Sequence, residues 1–333
     1  MAAMDAIAAP GFPGPTAAGP GAVSSGPVPA PAAPGWLEAD PADLRPTVLV
    51  LGGFITSAPW YGPFAALLRA RGAAGVIVAP IWTPDWLVAA FRGLGPLTTR
   101  AGKALLRASA ASAASPASRG APVLVVGHSA GGILARLLTS PIPFEGRELN
   151  GSSRIGAIVT LGTPHVVDGG RWGGRVARVA NRFAERAVPG ACFAPTTGYL
   201  AVASRACAAR EAAEDGTERF VRRLYDDLLP QPGLDPVSGD GLVPTAAAML
   251  DGARQLVLDS AVHGPGMRVP WYGAEAQLDL WWPAALETWR QALVARQVRA
   301  RARAAAGETI AAAEAREAAV EASARVLGAA RRR

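Results

Sequence analysis

One serine of the chain lies in a setting that favours nucleophilic chemistry. Ser129 is the centre of Gly127-His128-Ser129-Ala130-Gly131, which directly follows four apolar residues and directly precedes a run of helix-forming residues. A strand that turns sharply into a helix at a serine projects the hydroxyl clear of the sheet. Glycines on both sides leave room for that turn, and the start of a helix favours negative charge beside the serine. We therefore predict that Ser129 is a nucleophile.

A serine hydroxyl needs a base to remove its proton, and the chain has three histidines. His263 follows the last predicted strand, where the chain order Ser, Asp, His places the base. His128 is the neighbour of Ser129 in sequence, so its side chain should point away from the hydroxyl. His165 ends the strand next to the serine turn. We predict that His263 is the base and that His128 and His165 belong to the surroundings of the pocket, with His165 shaping its floor or bonding to the backbone.

The acid of such a site must follow Ser129 and precede His263 in the chain. Asp240, in the segment GDGLVP, is the best candidate, and Asp235 is the alternative on the same loop. The side chains of Asp226 and Asp227 are typical of a solvated helix face. The acid must be an ionised carboxylate that holds Nδ1 of the imidazole and stabilises the imidazolium.

Two backbone N–H groups must meet the oxyanion of the reacting carbonyl. Ala130, which follows the nucleophile, should supply one of them. The turn Gly52-Gly53-Phe54 follows the first predicted strand and should supply the other from Phe54. The two glycines let the backbone approach the reacting atoms closely.

Strands and helices alternate along the chain, which predicts an α/β fold with a mostly parallel sheet and helices on both faces. Trp82 and Trp86 are placed in a loop, and the last helix is predicted from Leu286 onward. The predicted strands are Thr47–Leu51, Gly75–Pro80, Val123–Val126, Ile155–Leu161, Gly198–Ser204 and Arg254–Leu258.

Composition divides the chain into three parts. Residues 1–45 are rich in Ala, Gly and Pro and are predicted to be a disordered extension. Residues 46–306 form the α/β domain, with material for a small cap within 166–197 and 207–237. Residues 307–333 are predicted to be a basic, solvated helical tail.

Charge and cysteine content restrict the partners. The net charge is +7, but nine Arg and four Glu after residue 291 carry most of it. The rest of the chain is nearly neutral, which excludes a nucleic-acid face. No metal-ligand spacing occurs around Cys192 and Cys207, so neither metal nor cofactor is expected. No apolar run of about 18 residues predicts a transmembrane segment. Contact of the Arg-rich tail with anionic lipid is an alternative to a solvated tail.

The N-terminal sequence bears on location. It lacks the basic start and the unbroken apolar segment of a secretory signal, because Pro10, Pro13, Pro15 and Pro20 interrupt it. We expect an intracellular protein that is not secreted, with a plastid as one option.

Five segments together carry a family resemblance. LGGF, GHSAGG, LNGSSRIGAIVTLGTPH, GDGLVP and HGPGMRVPWYG resemble lipase- and esterase-like α/β-hydrolases related to the GPI inositol-deacylases, as found in cyanobacteria and plastid-bearing organisms. The resemblance covers about Pro46 to Trp289. It implies an α/β-hydrolase fold with a small cap and an ester-cleaving serine hydrolase with Ser129, Asp240 and His263 as its triad. The chain departs from the family in that its first strand ends in Leu-Gly rather than His-Gly or Pro-Gly.

The function predicted from these residues is hydrolysis of carboxylic esters, of lipids or other apolar acyl compounds, through an acyl-enzyme on Ser129. Acyl transfer or thioester cleavage by the same triad is one alternative, and a non-catalytic scaffold with a hydrolase fold is another, since a fold alone does not decide function. Aromatic side chains near the predicted strand ends are candidates for the acyl pocket. They are Trp60, Trp82, Trp86, Trp271 and Tyr272.

Overall fold

The computed structural model of the chain describes residues 34–168, 174–265 and 270–306, with the backbone only for residues 174–177. The predicted tail 307–333 and residues 1–33 of the predicted N-terminal extension lie outside the described residues. None of the helices within the described ranges is both long enough and apolar enough to cross a membrane.

A parallel sheet of six strands forms the centre of the fold, in the order β2-β1-β3-β4-β5-β8. Its middle strands are runs of Val, Ile, Leu and Ala that are buried on both faces, as expected for a sheet covered by helices on each side. Two short strands, β6 and β7, form a separate antiparallel sheet. The strands are β1 (Thr47–Leu51), β2 (Gly75–Val78), β3 (Val123–His128), β4 (Ile155–Leu161), β5 (Gly198–Ser204), β6 (Cys207–Ala209), β7 (Val237–Gly239) and β8 (Arg254–Leu258).

Helices cover both faces of the sheet. The helices are α1 (Gly62–Ala70), α2 (Thr83–Arg92), α3 (Gly95–Ala114), α4 (Ala130–Leu138), α5 (Gly174–Ala187), α6 (Gly216–Leu228) and α7 (Glu275–Ala305). Apolar side chains of α2, α3, α4 and α5 form one core layer. Those of α1 and α7 form the other layer. This arrangement is the α/β-hydrolase fold, and the predicted fold class is confirmed.

Two helix boundaries differ from the prediction. Trp86 lies within α2 rather than in a loop, because the Asp85 carboxylate accepts the backbone N–H of Trp82 at 2.9 Å and caps the first turn. The helix α7 begins at Glu275, well before Leu286, and contains Pro283 in its interior. Its apolar face is buried on the sheet through Leu278, Trp281 and Trp289, and tertiary packing of this kind outweighs the local cost of one proline.

Residues 34–45 are ordered, which corrects the predicted disordered extension of 1–45 over this stretch. Trp36 and Leu44 are buried in the core layer of α1 and α7. The Trp36 N–H donates to the Arg119 carbonyl at 3.1 Å, and the Gln297 side chain donates to the Trp36 carbonyl at 2.9 Å. Two large apolar side chains give this short segment enough buried surface to remain attached.

The two segments predicted to form a cap, 166–197 after β4 and 207–237 after β5, pack against different parts of the fold. The helix α5 packs on α4, and the Glu185 carboxylate accepts from the buried Arg136 guanidinium at 2.7 Å. The helix α6, which lies between β6 and β7 in the chain, packs on the small sheet that these strands form, with Tyr225 buried between helix and sheet. The second segment therefore supports the loop that follows β7.

Candidate active site

The turn between β3 and α4 holds Ser129 in a strained conformation. Its φ is 53° and its ψ is −128°, a region that residues other than glycine rarely adopt. A Cβ at Gly131 would collide with the Leu51 carbonyl, and one at Gly127 would lie 2.5 Å from the Gly132 Cα. The two glycines are therefore required by contacts of the turn with β1 and with the helix that follows.

Three side chains from distant parts of the sequence form a hydrogen-bonded chain at the carboxyl edge of the sheet. The Ser129 Oγ lies 2.9 Å from Nε2 of His263, and Nδ1 of His263 lies 2.8 Å from Oδ2 of Asp240. Because a carboxylate only accepts, Nδ1 carries the proton and Nε2 is free to accept the serine proton. Ser129 and His263 are each 7% exposed. The arrangement can therefore activate a serine hydroxyl in a site largely shielded from water.

The carboxylate of Asp240 is held by four donors. Oδ1 accepts the backbone N–H groups of Leu242 at 3.0 Å and Val243 at 2.7 Å, and Oδ2 accepts from His263 and from the Tyr272 hydroxyl at 2.9 Å. Burial raises the pKa of this carboxyl, but His263 and the two backbone N–H groups outweigh it and hold the pKa below its usual value. Asp240 is therefore ionised at neutral pH.

The other carboxylates considered from the sequence lie elsewhere. Asp235 accepts from the Arg222 guanidinium at 3.1 Å and from the Glu211 N–H at 2.9 Å. Asp226 pairs with the same Arg222 at 3.0 Å. The structure does not bring either of them to His263.

Two backbone segments with candidate N–H donors adjoin the nucleophile. The Gly52-Gly53-Phe54 turn lies directly against Ser129, since a Cβ at Gly53 would lie 2.7 Å from the Ser129 Cβ. The Gly53 N–H donates to the Tyr61 hydroxyl at 2.9 Å and is not available to a substrate. No acceptor within the described part of the chain takes the N–H of Phe54 or Ala130. These two groups are free to bind an oxyanion.

His128 is buried and forms hydrogen bonds with residues around the site, so it does not line a pocket as predicted. Its Nε2 donates to the His263 carbonyl at 2.6 Å, and its Nδ1 accepts from the Tyr61 hydroxyl at 2.8 Å. Burial, together with the charge of His263, lowers the pKa of His128 to about 3. The neutral ring therefore connects the loop of His263 to Tyr61, whose hydroxyl in turn holds the Gly52-Gly53-Phe54 turn.

His165 also lies in the interior rather than on a pocket floor. Its Nε2 is 3.1 Å from the Thr160 hydroxyl, and its Nδ1 is 3.5 Å from the Arg136 guanidinium. Burial and the positive charge of Arg136 hold the pKa of His165 well below its ordinary value. The ring contacts a side-chain hydroxyl rather than the backbone, and the structure does not bring it to Ser129.

The aromatic candidates for an acyl pocket separate into two groups. Trp60 and Trp82 are 53% and 45% exposed, and Trp271 is half-buried, with its ring 5.3 Å from that of His128. Trp86 is buried in the core edge-on to Phe54, and Tyr272 is buried behind Asp240. The prediction for Trp86 and Tyr272 is therefore wrong, because both rings face the protein interior.

Two residues of the site, Tyr61 and Thr163, were not singled out in the sequence, and Tyr272 was predicted for a different role, in the acyl pocket. Tyr61 and Tyr272 bond to His128 and Asp240, and the Thr163 hydroxyl donates to the Ser129 carbonyl at 2.9 Å. The segment LGTPH signals a special position for Thr163, since it follows a strand next to the serine turn. No pattern in the sequence pairs either tyrosine with its partner.

Comparisons with known proteins bear on the fold alone. No protein-family model matches the sequence, and no curated protein matches it. Among solved structures, the chain is similar to the mature lipase BlEst2 of Bacillus licheniformis, with 14% identity over 74% of this chain and 92% of that one and a TM-score of 0.47. An esterase of Thermogutta terrifontis matches at 14% identity over 75% of this chain and 82% of that one, TM-score 0.40. A dienelactone hydrolase of Anabaena variabilis matches at 14% identity over 74% and 85%, TM-score 0.36.

The two buried neutral histidines make stability depend on pH. The ordinary histidine pKa is 6.5, and folding lowers the pKa of both His128 and His165. Below about pH 6.5 the unfolded chain binds protons that the native state does not, so the free energy of unfolding should fall by about 1.4 kcal/mol per pH unit for each ring.

Urea unfolding at several pH values between about 7.5 and 5 measures this slope, and carboxyl groups add to it only at lower pH. The variant His128→Asn should have about half the slope of the unaltered protein. A free energy of unfolding that does not change over this range would contradict neutral, buried rings.

Proposed function

We propose that the protein is a serine hydrolase of carboxylic esters, with Ser129 as nucleophile, His263 as general base and acid, and Asp240 as the group that orients His263. The observation that carries the proposal is the hydrogen-bonded chain from Ser129 Oγ through His263 to Asp240, at a serine whose φ is 53°. Strain of this kind at a buried polar site is typical of a functional position.

The reaction follows from the geometry. Oγ of Ser129 attacks the ester carbonyl as Nε2 of His263 takes its proton, and the N–H groups of Phe54 and Ala130 bind the oxyanion. The tetrahedral intermediate collapses when the leaving alcohol takes the proton from Nε2, which leaves an acyl-enzyme on Ser129. Water then attacks with Nε2 as base, and the acid and free enzyme are released.

We propose that the substrate carries an apolar acyl group, because an exposed apolar surface adjoins the Gly52-Gly53-Phe54 turn. The hydroxyl of Thr83, in the first turn of α2, donates to the Ile55 carbonyl at 3.1 Å, which holds α2 beside that turn. We call the surface the apolar rim; all its members are exposed large apolar side chains. They are Phe54, Ile55, Trp82, Leu87, Val88 and Phe91. An exposed apolar surface of this extent marks a place of contact with an apolar partner.

The variant Phe91→Asp tests the apolar rim. Phe91 is 90% exposed, so its loss should change the free energy of unfolding by no more than about 0.5 kcal/mol. We expect the apparent KM for a long-chain ester in emulsion to rise about tenfold, which corresponds to the apolar contact of one side chain. Turnover of p-nitrophenyl acetate should not change.

A matched control is Leu280→Asp, which changes an exposed apolar residue of α7, on the other face of the sheet. It should leave both substrates unaffected. Equal effects of the two substitutions on the long-chain ester would contradict a role of the apolar rim.

A panel of p-nitrophenyl esters of increasing chain length, together with a fluorophosphonate probe, tests the proposed function. We expect turnover of the esters and labelling that the ester substrates slow. Product analysis with added alcohol separates hydrolysis from acyl transfer, and a thioester substrate tests the thioesterase alternative. Neither turnover nor labelling would favour the scaffold alternative.

Finer expectations from the sequence stay predictions. They are a relation to the GPI inositol-deacylases, a role in lipid metabolism, an intracellular location and contact of residues 307–333 with anionic lipid. Lipid vesicles of neutral and anionic composition, compared in a sedimentation assay, test the last of these.

A further inference from the structure

The tyrosine behind the acid has an unusual partner for a buried hydroxyl. Tyr272 is fully buried in the segment just before α7, and Nε1 of Trp281 donates to its backbone carbonyl at 2.9 Å, which fixes it on that helix. Its hydroxyl donates to Oδ2 of Asp240 at 2.9 Å. This is the same oxygen that accepts Nδ1–H of His263. Two donors therefore share the oxygen on which the orientation of the base depends.

The backbone next to this pair leaves space for it. Gly162, at the end of β4, has a φ of +55°. A Cβ there would lie 2.6 Å from Oδ2 of Asp240 and 2.8 Å from the Tyr272 ring. Both the left-handed conformation and the close approach require glycine at this position. The contact between the hydroxyl and the carboxylate is thus built into the strand end as well as into the helix.

The hydroxyl remains a donor over the whole working range of the site. Burial and then the negative charge of Asp240 hold the pKa of Tyr272 well above its ordinary value. A hydrogen bond to an ionised group is about twice as strong as one between neutral groups. Tyr272 therefore donates to the ionised carboxylate of Asp240 at neutral pH.

We propose that Tyr272 is a positioning residue that acts through Asp240: its hydroxyl fixes the rotation of the carboxylate and reduces the negative charge that faces His263, so that His263 stays neutral, and active as a base, to lower pH. This inference rests on the proposed function. Without the hydroxyl, Oδ2 would stabilise the imidazolium more strongly, and the base would be lost to protonation at a higher pH.

The other titratable side chains packed around the pair are neutral between about pH 5 and 8. His128, whose ring centroid is 5.1 Å from that of His263, has a pKa of about 3 because of burial. Burial raises the pKa of the Cys207 thiol on β6 and of the Tyr225 hydroxyl on α6. None of these groups changes its charge in the range where the effect of Tyr272 is expected.

The variant Tyr272→Phe tests the inference, because it removes one oxygen atom and keeps the ring. The readout is the acid limb of the pH profile of kcat/KM for a p-nitrophenyl ester, with the rate of fluorophosphonate labelling as a second measure. We expect the acid limb of kcat/KM and the acid limb of the labelling rate to move to higher pH by about 0.5–1 unit. KM should not change, and kcat at pH values above the acid limb should fall by less than about tenfold. A parallel titration of the histidine ring signals by NMR reads the same shift without turnover.

Tyr199→Phe is the matched control, since Tyr199 is also a buried tyrosine. Its hydroxyl forms hydrogen bonds with the Cys192 side chain and the Phe193 backbone, and none with Asp240 in the described residues. Its acid limb should coincide with that of the unaltered protein. An equal loss of kcat at every pH in Tyr272→Phe, or an unmoved limb and unmoved ring signals, would overturn the inference and leave the proposed function intact. No labelling of the unaltered protein at any pH would overturn both.

Discussion

Replacement of Ser129 with alanine is expected to lower kcat for a p-nitrophenyl ester by about 10⁴-fold or more, with no loss of fold. The reason is that the His263 Nε2 accepts from Oγ of Ser129 at 2.9 Å, and no other hydroxyl of the described residues is bonded to this nitrogen. Alanine keeps the Cβ and hence the packing of the turn. Steady-state kinetics and a thermal melt of the same preparation measure the two effects.

A matched control for this variant is Ser140→Ala. Ser140 is a buried serine just after α4, and its hydroxyl donates to the Ile142 carbonyl at 2.7 Å. Its replacement should lower the melting temperature slightly, by the loss of this bond and of the bond that the Ile142 N–H donates to the same hydroxyl at 3.2 Å, and leave kcat unchanged. Activity that survives in Ser129→Ala with an unchanged melt would contradict the assignment of the nucleophile.

The second large effect is expected from Asp240→Asn, with a loss of several orders of magnitude, about 10⁴-fold, in kcat. Oδ1 of the asparagine can still accept the N–H groups of Leu242 and Val243. The amide nitrogen then occupies the position of Oδ2 and donates to Nδ1 of His263. That contact favours the tautomer with the proton on Nε2, which cannot accept from Ser129.

Two comparisons make this prediction specific. Asp235→Asn removes an ion pair with Arg222 at 3.1 Å, a partly exposed contact, and should reduce activity little. His263→Ala should be nearly as damaging as Ser129→Ala, whereas His165→Ala should act on stability or KM. If His165→Ala abolished turnover and His263→Ala spared it, the site would have to be rebuilt around the loop after β4.

The sheet and the serine turn were predictable because their signals are local. Runs such as Val123-Leu124-Val125-Val126 are too apolar for a one-sided strand, and the glycines around Ser129 mark the turn. The chain order Ser, Asp, His then led to His263 and Asp240, which the structure brings together with Ser129.

The misplaced features depend on contacts between residues far apart in sequence. The β6–β7 sheet has strands of three residues, which are too short to show a periodicity in the sequence. Trp36 is buried because Gln297 and Arg119 form hydrogen bonds with its backbone. The sequence around residue 36 gives no indication of these distant partners. The roles of Tyr61 and Tyr272 are of the same kind, since each bonds across the fold to a triad residue or its neighbour.

The helix α2 is a different case, because its signal was present. Pro84 in the first turn and Asp85 as the cap of the Trp82 N–H are typical of a helix start. The two tryptophans suggested a pocket loop instead. The structure divides them, with Trp86 in the core and Trp82 on the apolar rim.

The site of covalent modification by a fluorophosphonate tests whether Ser129 is the nucleophile that His263 activates. The folded protein is labelled first, and the modified residue is then identified by peptide mass spectrometry. We expect one adduct, on Ser129, formed rapidly in the unaltered protein and at least about 10³-fold more slowly in His263→Ala. An adduct on another residue, or labelling of Ser129 at the same rate without His263, would contradict a serine activated by this histidine.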